Sequence, residues 1–142
     1  MSVTLDANIL IYAWNEDDPV HEPARALVMR LLSGPELLYL FWPVLLGFMR
    51  IATHPSILQR PGSLADVMEN VTTMLERPHV RAPGEAEGFW SAYRRIGDQA
   101  RGNAIPDAHV AALMQQYGVG VIYTRDRGFR RFDGIEARNP FI

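Results

Sequence analysis

Short apolar segments alternate with segments of helical character along this chain, and that alternation most constrains its fold. Residues 3–5 form a short apolar run, residues 8 to about 14 read as a helix, and residues 37–42 and 119–124 are further strand candidates. Short apolar strands alternating with helices indicate a parallel sheet with both faces covered. We therefore predict an α/β fold, a three-layer sandwich with a central, mostly parallel sheet flanked by helices.

Proline, glycine and serine mark where the remaining elements should begin and end. Pro43 suits the first residue of a helix through residue 53, Ser63 can cap a helix through residue 76, and Pro106 can open one that ends at residues 117–118. Further helices are expected over residues 19–32 and from 85 to about 99. Short strands are expected near residues 80–82 and 135–137.

Composition limits the kinds of protein that this chain can be. Its 142 residues fit one domain, residues 1–142, with 48% hydrophobic and 21% charged residues. It contains no cysteine, which excludes disulfides, thiolate metal sites and a cysteine nucleophile, and no lysine, which excludes lysine chemistry. No segment approaches the roughly 20 apolar residues of a membrane span. We expect a soluble, cytoplasmic domain.

Charge is distributed unevenly about the net value of −2. Residues 1–93 hold 6 arginines and 11 acids, whereas residues 94–142 hold 8 arginines and 5 acids. Arg94, Arg95, Arg127, Arg130 and Arg131 are read as solvated faces or, beside an acidic metal site, as contacts for a polynucleotide backbone. The tryptophans at positions 14, 42 and 90 lie in apolar runs and are expected in the core.

Three aspartates stand at the ends of predicted elements. Asp6 follows the first strand, Asp126 follows the last long strand, and Asp107 lies in the first turn of a helix. In parallel α/β sheets, ligands bind beyond the carboxyl ends of the strands. We expect all three carboxylates at that one edge.

Clustered carboxylates repel one another and their pKa values rise unless a cation intervenes. Oxygen ligands without cysteine or suitably spaced histidine favour Mg²⁺ or Mn²⁺ over Zn²⁺. Such a metal supports hydrolysis of a phosphodiester. Each acid also has a structural alternative, since Asp6 and Asp107 can belong to helix N-termini and Asp126 can be a turn residue.

Four segments together resemble the PIN-domain ribonucleases, in particular the VapC-type toxins of bacterial toxin–antitoxin pairs. They are LDANIL at residues 5–10, FMRIATHP at 48–55, GNAIPDAH at 102–109 and YTRDRGF at 123–129. The resemblance covers essentially the whole chain. It implies a PIN-like fold, Mg²⁺- or Mn²⁺-dependent cleavage of RNA, a homodimer and a VapB-type antitoxin partner. By position, Asp6, Asp107 and Asp126 would be metal ligands and catalytic residues, with Asn8 and Thr124 as supporting polar contacts.

One departure from the family pattern concerns a fourth acid. PIN domains commonly supply a glutamate from the helix after the second strand, whereas residues 37–53 contain no acid here. A catalytically weak or inactive PIN-like domain that binds protein or RNA is therefore the main alternative. Phosphoaspartyl chemistry at Asp6 is a further one, disfavoured because that chemistry uses a second aspartate where Asn8 stands and a lysine that the chain lacks.

Overall fold

A five-stranded parallel sheet lies at the centre of the protein. The computed structural model describes residues 1–142, and its strands lie in the order β3-β2-β1-β4-β5. All four pairings are parallel, so the sheet predicted as mostly parallel is entirely so. The strands are β1 Ser2–Leu5, β2 Leu37–Tyr39, β3 Val80–Arg81, β4 Val121–Tyr123 and β5 Glu136–Arg138.

Six helices flank the sheet and confirm the three-layer α/β architecture. They are α1 Ala7–Trp14, α2 His21–Leu32, α3 Trp42–Ala52, α4 Leu64–Leu75, α5 Phe89–Ile96 and α6 Ile105–Tyr117. Short 3-10 turns cover Gly102–Ala104 and Arg127–Arg131. Helix α1 packs on α2 and α3, and α6 packs on α5 and α3. No helix is both long and apolar enough to cross a membrane.

The two central strands are buried on both faces. Val3, Thr4 and Leu5 of β1 are at most 1% exposed, and all three residues of β4 are buried. Because successive strand side chains point to opposite faces, burial of every residue requires cover on both sides. This explains why the strands read as continuous apolar runs and not as alternating ones.

The register between β1 and β4 sets the position of the functional edge. Leu5 is paired with Tyr123, so the two strands end side by side. The residues that follow them, Asp6 and Thr124, therefore emerge next to each other. The Asp6 amide also donates to the Tyr123 carbonyl over 3.0 Å, which extends the ladder by one bond.

Several predicted boundaries were wrong for identifiable reasons. The second strand ends at Tyr39 and not at residue 42, because Trp42 already belongs to α3, with Pro43 in its first turn. Helix α2 begins at residue 21 because the Asp18 carboxylate holds the Val20 amide at 2.9 Å in a preceding turn. Helix α5 begins only at residue 89. Before it, the Gln116 side chain makes two hydrogen bonds to the Ala86 backbone, at 3.0 and 3.1 Å, which compete with helical bonding.

Candidate active site

Asp6 lies at the junction between β1 and α1, where it caps the helix. Its side chain accepts a hydrogen bond from the Asn8 amide over 2.5 Å, as an N-cap residue does. The residue is only 8% exposed. Burial raises the pKa of the Asp6 carboxyl above its ordinary 3.8, and the negative Asp126 adds to the rise. Hydrogen bonds from Thr124 and Asn8 oppose it.

Thr124 connects the two aspartates that follow the central strands. Its hydroxyl donates to Asp6 Oδ2 over 2.6 Å and accepts from the Asp126 amide over 2.9 Å. Thr124 is 2% exposed, so these bonds are shielded from solvent. Both Asp6 oxygens thus have a donor, which fixes the orientation of the carboxylate.

Asp107 lies in the first turn of α6 and is partly buried. Its pKa is raised from 3.8 to about 6, first by burial and then by the negative charge of Asp126. A hydrogen bond with the Asp126 carboxyl and the charge of Asp6 raise it further, while Arg131 lowers it. Two neighbouring carboxylates disfavour each other's ionisation, so this pair resists carrying two negative charges.

Asp126 is the exposed member of the group and caps a 3-10 turn. Its Oδ1 accepts from the Gly128 amide over 2.7 Å, and this bond leaves the other oxygen without a backbone donor. The turn alternative for Asp126 is therefore correct as a description of its local role. It does not exclude a second role, because Asp126 also lines a cavity together with Asp6 and Asp107.

One cavity of about 210 Å³ is lined by all three aspartates. Asn8 also lines it, and α3 contributes Gly47 on the opposite wall. The structure thus brings together four of the five residues predicted for the site, and the fifth, Thr124, holds Asp6 from behind. A second, largely apolar cavity between α1, α2 and α4 contains no acid and is separate from this chemistry.

The donor chemistry of this cavity fits a divalent cation with oxygen ligands. No three His, Asp or Glu side chains are grouped tightly enough to hold a metal directly. Mg²⁺ does not need such a cage, since it binds through one or two carboxylates and keeps several waters. Burial is the main cause of the raised pKa values of Asp6 and Asp107, and the neighbouring negative charges add to it; a bound cation would favour the ionised forms. The residues present therefore fit Mg²⁺ or Mn²⁺.

Gly47 lines the acidic cavity, although the sequence did not single it out as a site residue. Within the acid-free residues 37–53, only Pro43, Val44 and Gly47 line the acidic cavity. A Cβ at Gly47 would lie 3.5 Å from the Ala7 Cβ, an ordinary contact, so a side chain fits there. The signal was the helical spacing from Pro43, which lines the same cavity one turn earlier.

The expectation that all three tryptophans fill the core was wrong for two of them. Trp90 is 67% exposed and Trp42 is 40% exposed. Trp90 stacks on Tyr93 of the same helix, with ring planes at 8°, while the Trp42 indole donates to the Ala82 carbonyl over 3.0 Å. His109 bonds Glu85 over 2.7 Å, in keeping with a histidine that has a structural partner.

A parallel α/β fold with an acidic cavity at its strand ends defines a class of protein, and comparison with known proteins identifies that class. The PIN domain family model matches residues 3–135. The chain is 48% identical over 143 residues to ribonuclease VapC48 of Mycobacterium tuberculosis, covering 99% of each chain. It is 34% identical over 138 residues to ribonuclease VapC43 of the same species, covering 96% of this chain and 93% of the relative. The chain belongs to the PIN-domain family, among its VapC ribonucleases.

Solved structures support the same fold at low sequence identity. VapBC2 from Rickettsia felis, bound to a DNA fragment from its promoter, matches with a TM-score of 0.70 at 15% identity, over 98% of each chain. VapC20 from Mycobacterium tuberculosis, a toxin that cleaves the sarcin–ricin loop, matches with a TM-score of 0.67 at 17% identity. That match covers 94% of this chain and 98% of VapC20.

Proposed function

We propose that this protein is a metal-dependent endoribonuclease and acts as the toxin of a toxin–antitoxin pair. The observation that carries the proposal is the convergence of Asp6, Asp107 and Asp126 on one cavity, in a chain 48% identical to a ribonuclease. The acids come from three separate parts of the sequence and meet at the edge where ligands bind in parallel sheets. Residues 1–142 would form a single nuclease domain.

The three carboxylates are assigned as the metal ligands and catalytic residues, one or two of them binding the metal directly and the rest through the waters that it keeps. Asp6 is held by donors on both oxygens, so it offers a fixed ligand at the floor of the cavity. Asp107 and Asp126 would both bind in the ionised form, because a cation offsets the repulsion between them. When bound, Mg²⁺ or Mn²⁺ polarises the scissile phosphate and makes a nucleophile available from water at neutral pH. PIN-domain ribonucleases in general depend on divalent metals.

The roles of Asn8 and Thr124 are to position the acids. Thr124 keeps Asp6 ionised by donating to it and fixes the backbone before Asp126. The Asn8 backbone amide does the same for the other Asp6 oxygen. The Asn8 side chain lies on the exposed rim of the cavity, where its amide can meet the RNA or a water.

A VapB-type antitoxin, a homodimeric assembly and a cytoplasmic location complete the proposal. They rest on the VapC relatives and on neighbours such as the VapBC2 complex from Rickettsia felis. Light scattering of the purified chain, alone and co-expressed with the product of an adjacent small reading frame, tests both assemblies. A monomer that co-purifies with nothing would contradict them.

Replacing Asp107 by asparagine is the central test of the activity. The neutral side chain keeps the size of Asp107 but loses a ligand charge, so RNA cleavage should fall at least about 100-fold. Asp66→Asn is the matched control, because Asp66 also lies in the first turn of a helix but is exposed on α4, outside the cavity. Cleavage that survives Asp107→Asn, or that continues in EDTA, contradicts the proposal.

A catalytically weak or inactive PIN-like domain that binds protein or RNA is the second candidate. The observation that favours it is the lack of any acid in residues 37–53, the segment from which PIN domains commonly supply a glutamate, and Gly47 of that segment lines the cavity. Wild-type protein that binds Mn²⁺ and RNA but leaves total RNA intact would favour this candidate. Metal-dependent cleavage by the wild type excludes it.

A further inference from the structure

A further cavity, lined by arginines and distinct from the apolar one between α1, α2 and α4, adjoins the acidic cavity. It has a volume of about 110 Å³ and lies among Arg125, Arg127 and Arg130, with Thr124 and Asp126 also in its wall. Asp126 lines both cavities, so they share that side chain as a boundary. A basic site therefore lies beside the carboxylates, at the same edge of the sheet.

The three arginines of this cavity outnumber its one acidic side chain, Asp126. No ion pair joins any of them to a carboxylate, whereas Arg60 and Arg138 are both paired. All three are exposed to solvent. Three unpaired guanidinium groups around a small space repel one another, and an anion with several acceptor oxygens would balance them.

Arg125 is held in place by two aromatic rings. Its guanidinium carbon lies 5.4 Å from the centre of the Tyr12 ring and 5.6 Å from that of Phe141. Contacts at this distance are attractive and restrict the side chain. Phe141 belongs to the C-terminal tail, where its amide donates to the Asn139 side chain over 3.0 Å. The tail thus fixes an arginine that would otherwise be mobile.

We infer that this arginine cavity, lined by Arg125, Arg127 and Arg130, holds a phosphate of the RNA next to the scissile one. The inference rests on the proposed function and adds a positioning subsite to it. RNA entering a carboxylate site meets repulsion, and an adjacent basic subsite offsets it while fixing the register of the strand. The planar guanidinium fork suits phosphate oxygens.

RNA binding tests the subsite independently of cleavage. In an Asp107→Asn background with Mg²⁺ present, a fluorescein-labelled single-stranded RNA of twelve nucleotides is titrated from about 50 to about 200 mM salt. Arg127→Gln with Arg130→Gln should weaken binding about tenfold near physiological salt and reduce the salt slope by about 0.7, the value for one phosphate on a single strand. Arg30→Gln, at an exposed position in the last turn of α2, is the control and should change neither.

Cleavage kinetics then test whether the subsite acts on one particular phosphate. An RNA cut by the wild type is resynthesised with a single uncharged methylphosphonate linkage at each position beside the cut. At one position, the methylphosphonate should lower kcat/KM about tenfold in the wild type. The same linkage should have little further effect in the Arg127→Gln, Arg130→Gln variant, because the arginines that contact that phosphate charge are already absent.

The outcomes separate failure of this inference from failure of the proposed function. If the double variant binds RNA with the same affinity and salt slope as the wild type, the subsite is overturned, whether or not the protein cleaves RNA. Equal sensitivity of wild type and variant to every methylphosphonate also overturns it. Absence of cleavage by the wild type counts against the proposed function alone, and the binding comparison still decides the subsite. If the double variant is unstable to heat, the single variants Arg127→Gln and Arg130→Gln are used instead, and each should show about half of the slope reduction expected for the double variant.

Discussion

Thr124 donates its hydroxyl hydrogen to Asp6 across 2.6 Å, although the two residues are 118 positions apart in the chain. The bond exists because β1 and β4 are paired so that both end at the same level. It joins the buried acid of the first strand to the segment that carries Asp126. The central relationship of the site is thus a consequence of strand register.

Thr124→Val should reduce activity through Asp6. Losing the hydroxyl removes a donor to the ionised carboxylate, so the pKa of Asp6 should rise further and the acidic limb of the kcat/KM profile should move to higher pH. The Asp126 amide also loses its acceptor, and the free energy of unfolding should fall by about 1–3 kcal/mol. Urea unfolding and a pH–rate profile measure the two effects.

Thr124→Ser is the matched control because it keeps the hydroxyl and loses only a methyl group. It should retain the wild-type pH profile. A profile that shifts equally in Val and Ser would show that packing, and not the hydrogen bond, controls Asp6.

The metal-free protein should become less stable as pH rises between 3.8 and about 6, through the Asp107 group. Its folded-state pKa is raised, so the folded state binds more protons than the unfolded state in that interval and loses its advantage as they dissociate. Solvent screening of this partly exposed group limits the effect to on the order of 1 kcal/mol.

Urea unfolding in EDTA at about pH 4.5 and about pH 7 measures this loss. Carboxylates with lowered pKa values, such as Asp17 and Glu136, change stability in the opposite direction, so the difference between wild type and Asp107→Asn isolates the group. Asp107→Asn should be relatively more stable at the higher pH. An unchanged pH dependence in that variant would contradict the raised pKa of Asp107.

Mn²⁺ or Mg²⁺ should stabilise the folded protein near neutral pH. A ligand that binds only the folded state at ten times its Kd adds about 1.4 kcal/mol, which corresponds to a rise in Tm of a few degrees. Thermal scans with and without metal measure the shift. Asp6→Asn should lose most of it and Asp66→Asn should retain it, and an equal shift in all three proteins would place the metal elsewhere.

Gly47→Glu should strengthen metal binding. The position lines the acidic cavity and a Cβ there makes only an ordinary contact with Ala7, so a glutamate side chain is expected to extend into the cavity. Without metal, the added negative charge should raise the pKa of Asp107 further. Calorimetric titration with Mn²⁺ measures the change in affinity.

Gly47→Gln is the control, since it shares the length and the gain in helix propensity of the glutamate. It should leave the affinity for Mn²⁺ near the wild-type value. Equal affinities for Glu and Gln would mean that the α3 wall does not contact the metal.

Much of the candidate site was predictable because its acids follow recognisable elements. Asp6, Asp107 and Asp126 stand next to strands or helix starts whose apolar patterns are clear, and parallel topology then places them at one edge. Boundaries were less predictable where a distant side chain competes with helix formation, as Gln116 does at Ala86. The exposed position of Trp90 was missed because its partner is Tyr93 on the same short helix, not the core.

The sequence alone determined the α/β class, the order of the elements and the identity of the acids, since these follow from local patterns of apolar, capping and charged residues. The tertiary structure decided the register that brings Thr124 to Asp6 and the place of Gly47 in the cavity wall. It also decided that Arg125 lies between Tyr12 and Phe141. Each of these depends on packing between segments far apart in the chain, which no local pattern records.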